Sequence, residues 1–212
     1  APKTFRAWAS VVPDEFVFAL KGPRYAVNRR VLGEAGDSIK RFLESGVTGL
    51  GRHLGPLLWQ FTPYKKFDEA DFGTFLELLP AKFDGHTLRH AVEPRHDSFK
   101  TPAFMALARQ FGVAIVYAEH DSYTEIADVS ADFGYARLQK GDEKLKAGYP
   151  PKALDAWAKR AQTWAAGGAP VDLPRVDKKA AAKKPRDVFI YFIHEAKVRA
   201  PAAAMALIER LK

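Results

Sequence analysis

Short runs of β-branched and aromatic residues recur along this chain, and each is followed by apolar residues at helical spacing. The first run is Phe16 to Leu20, after the turn signal Pro13-Asp14, and a helix is predicted from Asp37 to Ser45 with Ile39, Phe42 and Leu43 on one face. The second run, Gly55 to Phe61, precedes an N-cap at Asp68 and an apolar stripe of Phe72, Phe75, Leu76 and Leu79. The third run, Thr87 to Val92, precedes Thr101-Pro102, a cap followed by proline at the first helical position, with the helix reaching about Phe111. Strand runs at Val113 to Tyr117 and Phe133 to Leu138 lead to a helix from Pro151 to Ala166, whose face carries Leu154, Trp157, Ala161 and Trp164. The last run is Val188 to Phe192, and a final helix runs from about Ala200 to Lys212.

Strands apolar on both faces, alternating with amphipathic helices, predict an α/β fold with a parallel sheet covered by helices. The expected architecture is a TIM-type (β/α) barrel forming a single domain over residues 1–212. Six strand runs are present where such a barrel has eight. Thr4 to Ser10 reads as a helix already under way, so the first two strands are expected to be missing from the chain. The structural alternative is an open Rossmann-type sheet. Its glycine-rich nucleotide loop is absent, since neither Gly33 to Gly36 nor Gly46 to Gly51 follows a strand run.

In a parallel barrel the strand C-termini converge on one face, where barrel enzymes place their chemistry. Here every strand run ends in polar groups: Lys21 and Arg24, then Gln60, then Glu93-Pro94-Arg95-His96, then Glu119-His120, then Arg137, then His194-Glu195. A guanidinium beside a carboxylate favours its charged form, so Arg95 would hold Glu93 ionised where the two meet. That suits Glu93 to general-base work, with His96 as a second proton carrier. Lys21, Arg24, Gln60, Arg95, Arg137 and His194 are the candidate ligand-binding residues, and the cations among them suit an anion bearing carboxylate or phosphate. Tyr135, on the strand face of Arg137, and Tyr191 are candidates to line the same pocket. Glu93, His96, Glu119, His120, His194 and Glu195 are of the residue types that could assemble a divalent-metal site. No helical zinc-type spacing occurs among them, and the assignment is no metal. No serine sits in a nucleophile elbow.

Charge and composition narrow the picture. The chain has 212 residues and no cysteine, which excludes disulfides, thiolate metal sites and a cysteine nucleophile, and fits a cytoplasmic location. The longest apolar stretch, Phe104 to Ala118, is interrupted by Arg109 and Gln110, so no membrane span is expected. Net charge is +8, and the Pro- and Ala-rich stretch 170–186 holds six basic and two acidic residues. It reads as a flexible basic loop within the domain, solvated or in contact with a polyanion. No aromatic residues interleave with its lysines.

The strand-end blocks carry a family resemblance. They are Phe16-Val17-Phe18-Ala19-Leu20-Lys21-Gly22-Pro23-Arg24-Tyr25, Leu54-Gly55-Pro56-Leu57-Leu58-Trp59-Gln60-Phe61-Thr62-Pro63, Phe75 to Pro80, Ala91 to Phe99, Ala131 to Leu138 and Val188 to Phe192. In this order and spacing the chain resembles the YecE-like family, the group known as domain of unknown function 72, over essentially its whole length. The resemblance implies a TIM-type barrel with two further strands ahead of this segment. It matches Lys21, Arg24, Gln60, Glu93, Arg95, His96 and Arg137 to the family pattern. The chain departs from that pattern at Val27-Asn28, Gln139-Lys140-Gly141 and Ile193-His194. The family brings no settled reaction and no cofactor with it.

The functional expectation is a barrel enzyme acting on a small anionic ligand at the strand C-termini. The alternative is a nucleic-acid-binding or nucleic-acid-processing protein using the basic pocket mouth and the Lys178 to Arg186 loop. Neither a cofactor nor an oligomeric state is indicated by the sequence.

Overall fold

The computed structural model describes residues 2–177, 183–193 and 197–212. Contacts divide the chain into two compact units, residues 1–93 and 94–212. Both are α/β, with parallel strands flanked by helices.

The first unit runs α1 (Pro2–Ala9), β1 (Phe18–Lys21), α2 (Arg24–Val27), α3 (Gly36–Glu44), β2 (Leu54–Gln60), α4 (Glu69–Glu77), β3 (Lys82–Phe83), β4 (His86–Thr87) and β5 (His90–Glu93). Strand β2 lies between β1 and β5, parallel to both, with Lys21 beside Leu58 and Gln60 beside Glu93. Helix α4 is capped as its sequence predicts, Asp68 accepting from the Asp71 N–H at 2.9 Å. The strand runs at 16–20 and 87–92 need correction. Phe16 N–H closes a turn onto the Pro13 carbonyl, so pairing starts only at Phe18. Thr87 belongs to a short antiparallel hairpin whose two loop residues, Asp84 and Gly85, both have positive φ, at 47° and 76°. An Asp-Gly pair favours such a loop, and the β-branched Thr87 beside it mimicked the start of the next strand.

Trp59 fixes which way β2 faces. Its ring meets Phe42 of α3 at 5.7 Å and Phe75 of α4 at 5.9 Å, both edge-on. Its Nε1–H donates to His90 Nδ1 at 3.1 Å, and His90 Nε2 lies 2.9 Å from the Pro80 carbonyl. Those partners suit a neutral imidazole with its proton on Nε2, and burial lowers the His90 pKa in agreement. Because side chains alternate along a strand, Leu58 and Gln60 point to the opposite face.

The second unit runs α5 (Pro102–Gln110), β6 (Ala114–Glu119), β7 (Phe133–Leu138), α6 (Pro151–Ala165), β8 (Asp187–Phe192) and α7 (Ala200–Leu211). Thr101 caps α5 through a bond from the Phe104 N–H. Strand β7 lies between β6 and β8, parallel to both. The buried stripe of α6 is the predicted one, and Tyr117 packs on its Trp157 and Trp164. Tyr117, Ala136 and Ile190 therefore face the helix, whereas Ala118, Arg137 and Tyr191 share the other face. Between α6 and β8 the described residues form no helix or strand. Part of that stretch is nonetheless tied down: Leu173 is buried, Arg160 holds Asp172, and the buried Asp128 carboxylate accepts from Val176 and Asp177 N–H at 2.7 and 3.0 Å.

Close strand packing in the first unit depends on Gly55. A Cβ there would lie 2.5 Å from Val17 Cγ1 and 2.7 Å from the Phe18 carbonyl oxygen. Gly55→Ala is expected to cost about 1–3 kcal/mol by overpacking. The check is the urea midpoint of unfolding, which should fall with little change in slope; an unchanged midpoint would contradict the packing.

Candidate functional site

Three neighbouring strand ends of the first unit bring Lys21, Gln60 and Glu93 together. Lys21 Nζ donates to Gln60 Oε1 at 2.7 Å, and Gln60 Nε2 donates to both Glu93 oxygens at 3.1 Å. An ammonium only donates, so the amide must present its oxygen to Lys21 and its nitrogen to Glu93. The result is a relay from cation through amide to carboxylate. Glu93 is completely buried, Gln60 half-buried and Lys21 exposed, so the relay runs from solvent into the interior. Gly22, next after Lys21, makes room for Trp59 on the opposite face of the sheet, since a Cβ there would strike its ring at 2.5 Å. Arg24, three residues after Lys21, opens α2 and lines an open hollow with Tyr25, Asn28 and Arg29.

In the second unit, Arg95 lies over the Tyr123 ring at 4.1 Å, a cation–π contact, and Tyr123 stacks on His120 at 3.8 Å. His96 Nδ1 accepts from the Ser98 N–H at 3.1 Å and also meets the Ser98 hydroxyl. Nδ1 is thus an acceptor, and any proton His96 gives up must leave from Nε2. Arg137 is half-buried on the β7 face turned away from α6, in register with Ala118 and Tyr191. Tyr135 and Tyr191 share that face, their rings 5.2 Å apart. His194 and Glu195 lie outside the described residues.

Glu119 departs from the sequence reading. It points toward α6, accepting from Tyr149 Oη at 3.0 Å and from Trp157 Nε1 at 3.3 Å. Strand parity explains this: Glu119 shares the face of Tyr117, whose ring packs on Trp157. Burial raises the Glu119 pKa against the opposing pull of those two donors and Lys140. Burial also raises the Tyr149 pKa, and the Glu119 charge adds to it. Beside this pair, Tyr117 Oη donates to Glu125 at 3.0 Å, and Lys140 meets Asp121 at 3.1 Å and Glu125 at 3.4 Å. Burial pulls the Lys140 pKa down, but the two carboxylates outweigh it and the net shift is upward. Among the described residues, no three His, Asp or Glu side chains gather as metal ligands.

A family model for "Protein of unknown function DUF72" matches residues 1–212. The chain belongs to the DUF72 family. This is the YecE-like group that the strand-end blocks resemble. No curated protein matches the sequence. Among solved structures, a DUF72 family protein from Thermotoga maritima superposes with a TM-score of 0.65 at 17% identity, covering 98% of this chain and 77% of that one. At that identity the match speaks for the fold.

Within this DUF72 chain the sequence missed Tyr123, Glu125, Tyr149 and the polar role of Trp157. The helical spacing of Trp157 places it in the core, which is correct for its ring. A buried indole N–H also needs an acceptor, and that was the available signal. Its partner Glu119 lies 38 positions away, beyond any local pattern.

The raised Glu119 pKa has a stability consequence. The folded chain holds this proton more tightly than the unfolded chain, so its stabilising contribution is full below the unfolded value of about 4.3 and is lost as pH rises through the folded value. Glu119→Gln removes that dependence. Its stability relative to wild type is therefore expected to improve between pH 4 and pH 7, as read by urea midpoints at both. A difference that stays constant with pH would contradict the assignment.

Proposed function

We propose that this chain binds a small anionic ligand at the C-terminal strand ends of its first unit and acts on it with Glu93 as general base. The observation that carries this reading is the Lys21–Gln60–Glu93 relay. A completely buried carboxylate, held by an amide whose other end is bonded to an ammonium, is a fixed proton acceptor next to a fixed positive charge. Lys21 supplies attraction for the anion, and Arg24 follows it at the start of α2. Gln60 fixes the orientation of the carboxylate, since one amide nitrogen faces both of its oxygens. The reading places this chemistry where enzymes of the TIM-type barrel, the architecture the family resemblance implies, carry theirs. The absence of cysteine suits work in a reducing cytoplasm. No helix among the described residues is long and apolar enough to cross a membrane.

The test is a thermal-shift series with inorganic phosphate, acetate and a short oligonucleotide at low and moderate salt, on wild type, Lys21→Met and Glu93→Gln. A small anion at about one hundred times its Kd should raise Tm by roughly 5–10 °C. That shift should survive moderate salt, weaken in Lys21→Met and persist in Glu93→Gln, which removes the base and leaves the cation. A response to the oligonucleotide alone, lost with salt, would replace this reading with nucleic-acid binding.

A further inference from the structure

Just beyond the relay, the side chains of Arg24, Tyr25, Asn28 and Arg29 line one open hollow of about 520 Å³. Arg24, Tyr25 and Asn28 have no hydrogen-bond or ion-pair partner for their side chains among the described residues. Tyr25 is 58% exposed although its ring is large and apolar. Arg29 is only partly engaged. One terminal nitrogen donates to Ser38 Oγ at 2.9 Å and another lies 3.9 Å from Glu34, while its buried Nε has no partner. A buried donor without an acceptor is uncommon, and it points to a missing acceptor.

The wall of this hollow is held in place from below. Lys65 Nζ donates to the Arg30 carbonyl at 3.0 Å and the Arg29 carbonyl at 3.5 Å, and pairs with Asp71 at 2.7 Å. Asp71 in turn accepts from the Leu32 N–H at 2.6 Å. The half-buried Lys65–Asp71 pair thus clamps the chain just after α2, so the backbone that carries Arg29 is held in place before binding.

We infer that this hollow is a phosphomonoester site, in which Arg24, Arg29 and Asn28 bind the phosphate of a small phosphorylated molecule and Tyr25 covers its body. The inference rests on the reading that the relay serves an anionic ligand, and names that ligand's class. Two guanidinium charges match a phosphate dianion better than a singly charged carboxylate, and a planar guanidinium binds phosphate oxygens in pairs. The hollow is far larger than a phosphate group and falls in the size range of small-molecule sites, which leaves room for a carbon skeleton.

The experiment is isothermal titration of the full chain with inorganic phosphate, glycerol phosphate, acetate and a short oligonucleotide. The variants are Arg24→Gln and Asn28→Asp, both at exposed positions whose change should leave the fold intact, with Lys21→Met alongside. Each of the first two should weaken phosphate and glycerol phosphate by about ten- to a hundredfold, with wild type preferring both over acetate. Full phosphate affinity in both variants would overturn the site. If that affinity is lost only in Lys21→Met, the anion sits at the relay: the inference fails and the proposed function stands. If Arg24→Gln and Asn28→Asp lose phosphate while Lys21→Met binds it normally, the hollow is confirmed and the role of Lys21 falls. Binding of the oligonucleotide that outcompetes glycerol phosphate would also overturn the small-molecule assignment.

Discussion

A carboxylate shut away from water survives only where hydrogen bonds replace the water it has lost. Glu93 is such a group, with no solvent exposure, and Gln60 answers it by donating to both oxygens. That bond exists because β2 and β5 run parallel with Gln60 and Glu93 in register. The register in turn is fixed from the opposite face. Trp59 is wedged between the rings of α3 and α4 and bonded to His90, so slipping β2 by one residue would drive an indole onto the Glu93 side and bury Gln60 among phenylalanines. The polar relay and the aromatic core are two faces of one constraint.

The same alternation decides what the second unit presents. Arg137 and Tyr191 lie opposite each other on the face away from α6, while Glu119 and Tyr117 turn into the helix. Glu119 ends its strand just as Glu93 does, yet it is held by a tyrosine and an indole from the helical layer. Position at a strand end therefore does not make a carboxylate part of a binding face; parity along the strand does. Glu119 and its neighbours tie the β6 end to α6 and to the segment carrying Tyr149, a role closer to stability than to chemistry.

The hydrophobic pattern revealed a great deal of this. Both predicted caps, at Asp68 and Thr101, form the bonds their residue types suggest, and the α6 stripe is buried as spaced. These are local signals, readable within four residues. The errors are local too: Phe16-Val17 has strand composition, but Phe16 closes a turn and Val17 precedes the first paired residue, and Asp84-Gly85 makes a hairpin inside what looked like the approach to a strand. The site was legible only in part. Lys21, Gln60 and Glu93 stood out as polar groups ending apolar runs, but their order of bonding depends on register. Arg29, Asn28 and Tyr25 gave no such signal, because the hollow they line is shaped by Lys65 and Asp71, more than thirty positions further along.

Charge placement gives these features a common direction. In the first unit the buried acid is reached through an amide from an exposed ammonium, and two guanidinium groups follow within eight residues of that ammonium. Under the proposed function, attraction for an anion is strongest at the entrance, while the group assigned to take a proton lies inward with no solvent exposure. An arrangement meant only for stability would gain little from it. Even a complete buried ion pair replaced by apolar side chains of similar volume is often neutral or stabilising. Nor does an exposed arginine without a partner improve folding. Under the proposed function, the cost of burying Glu93 and of leaving Arg29 Nε without an acceptor is the cost of a binding site prepared in advance.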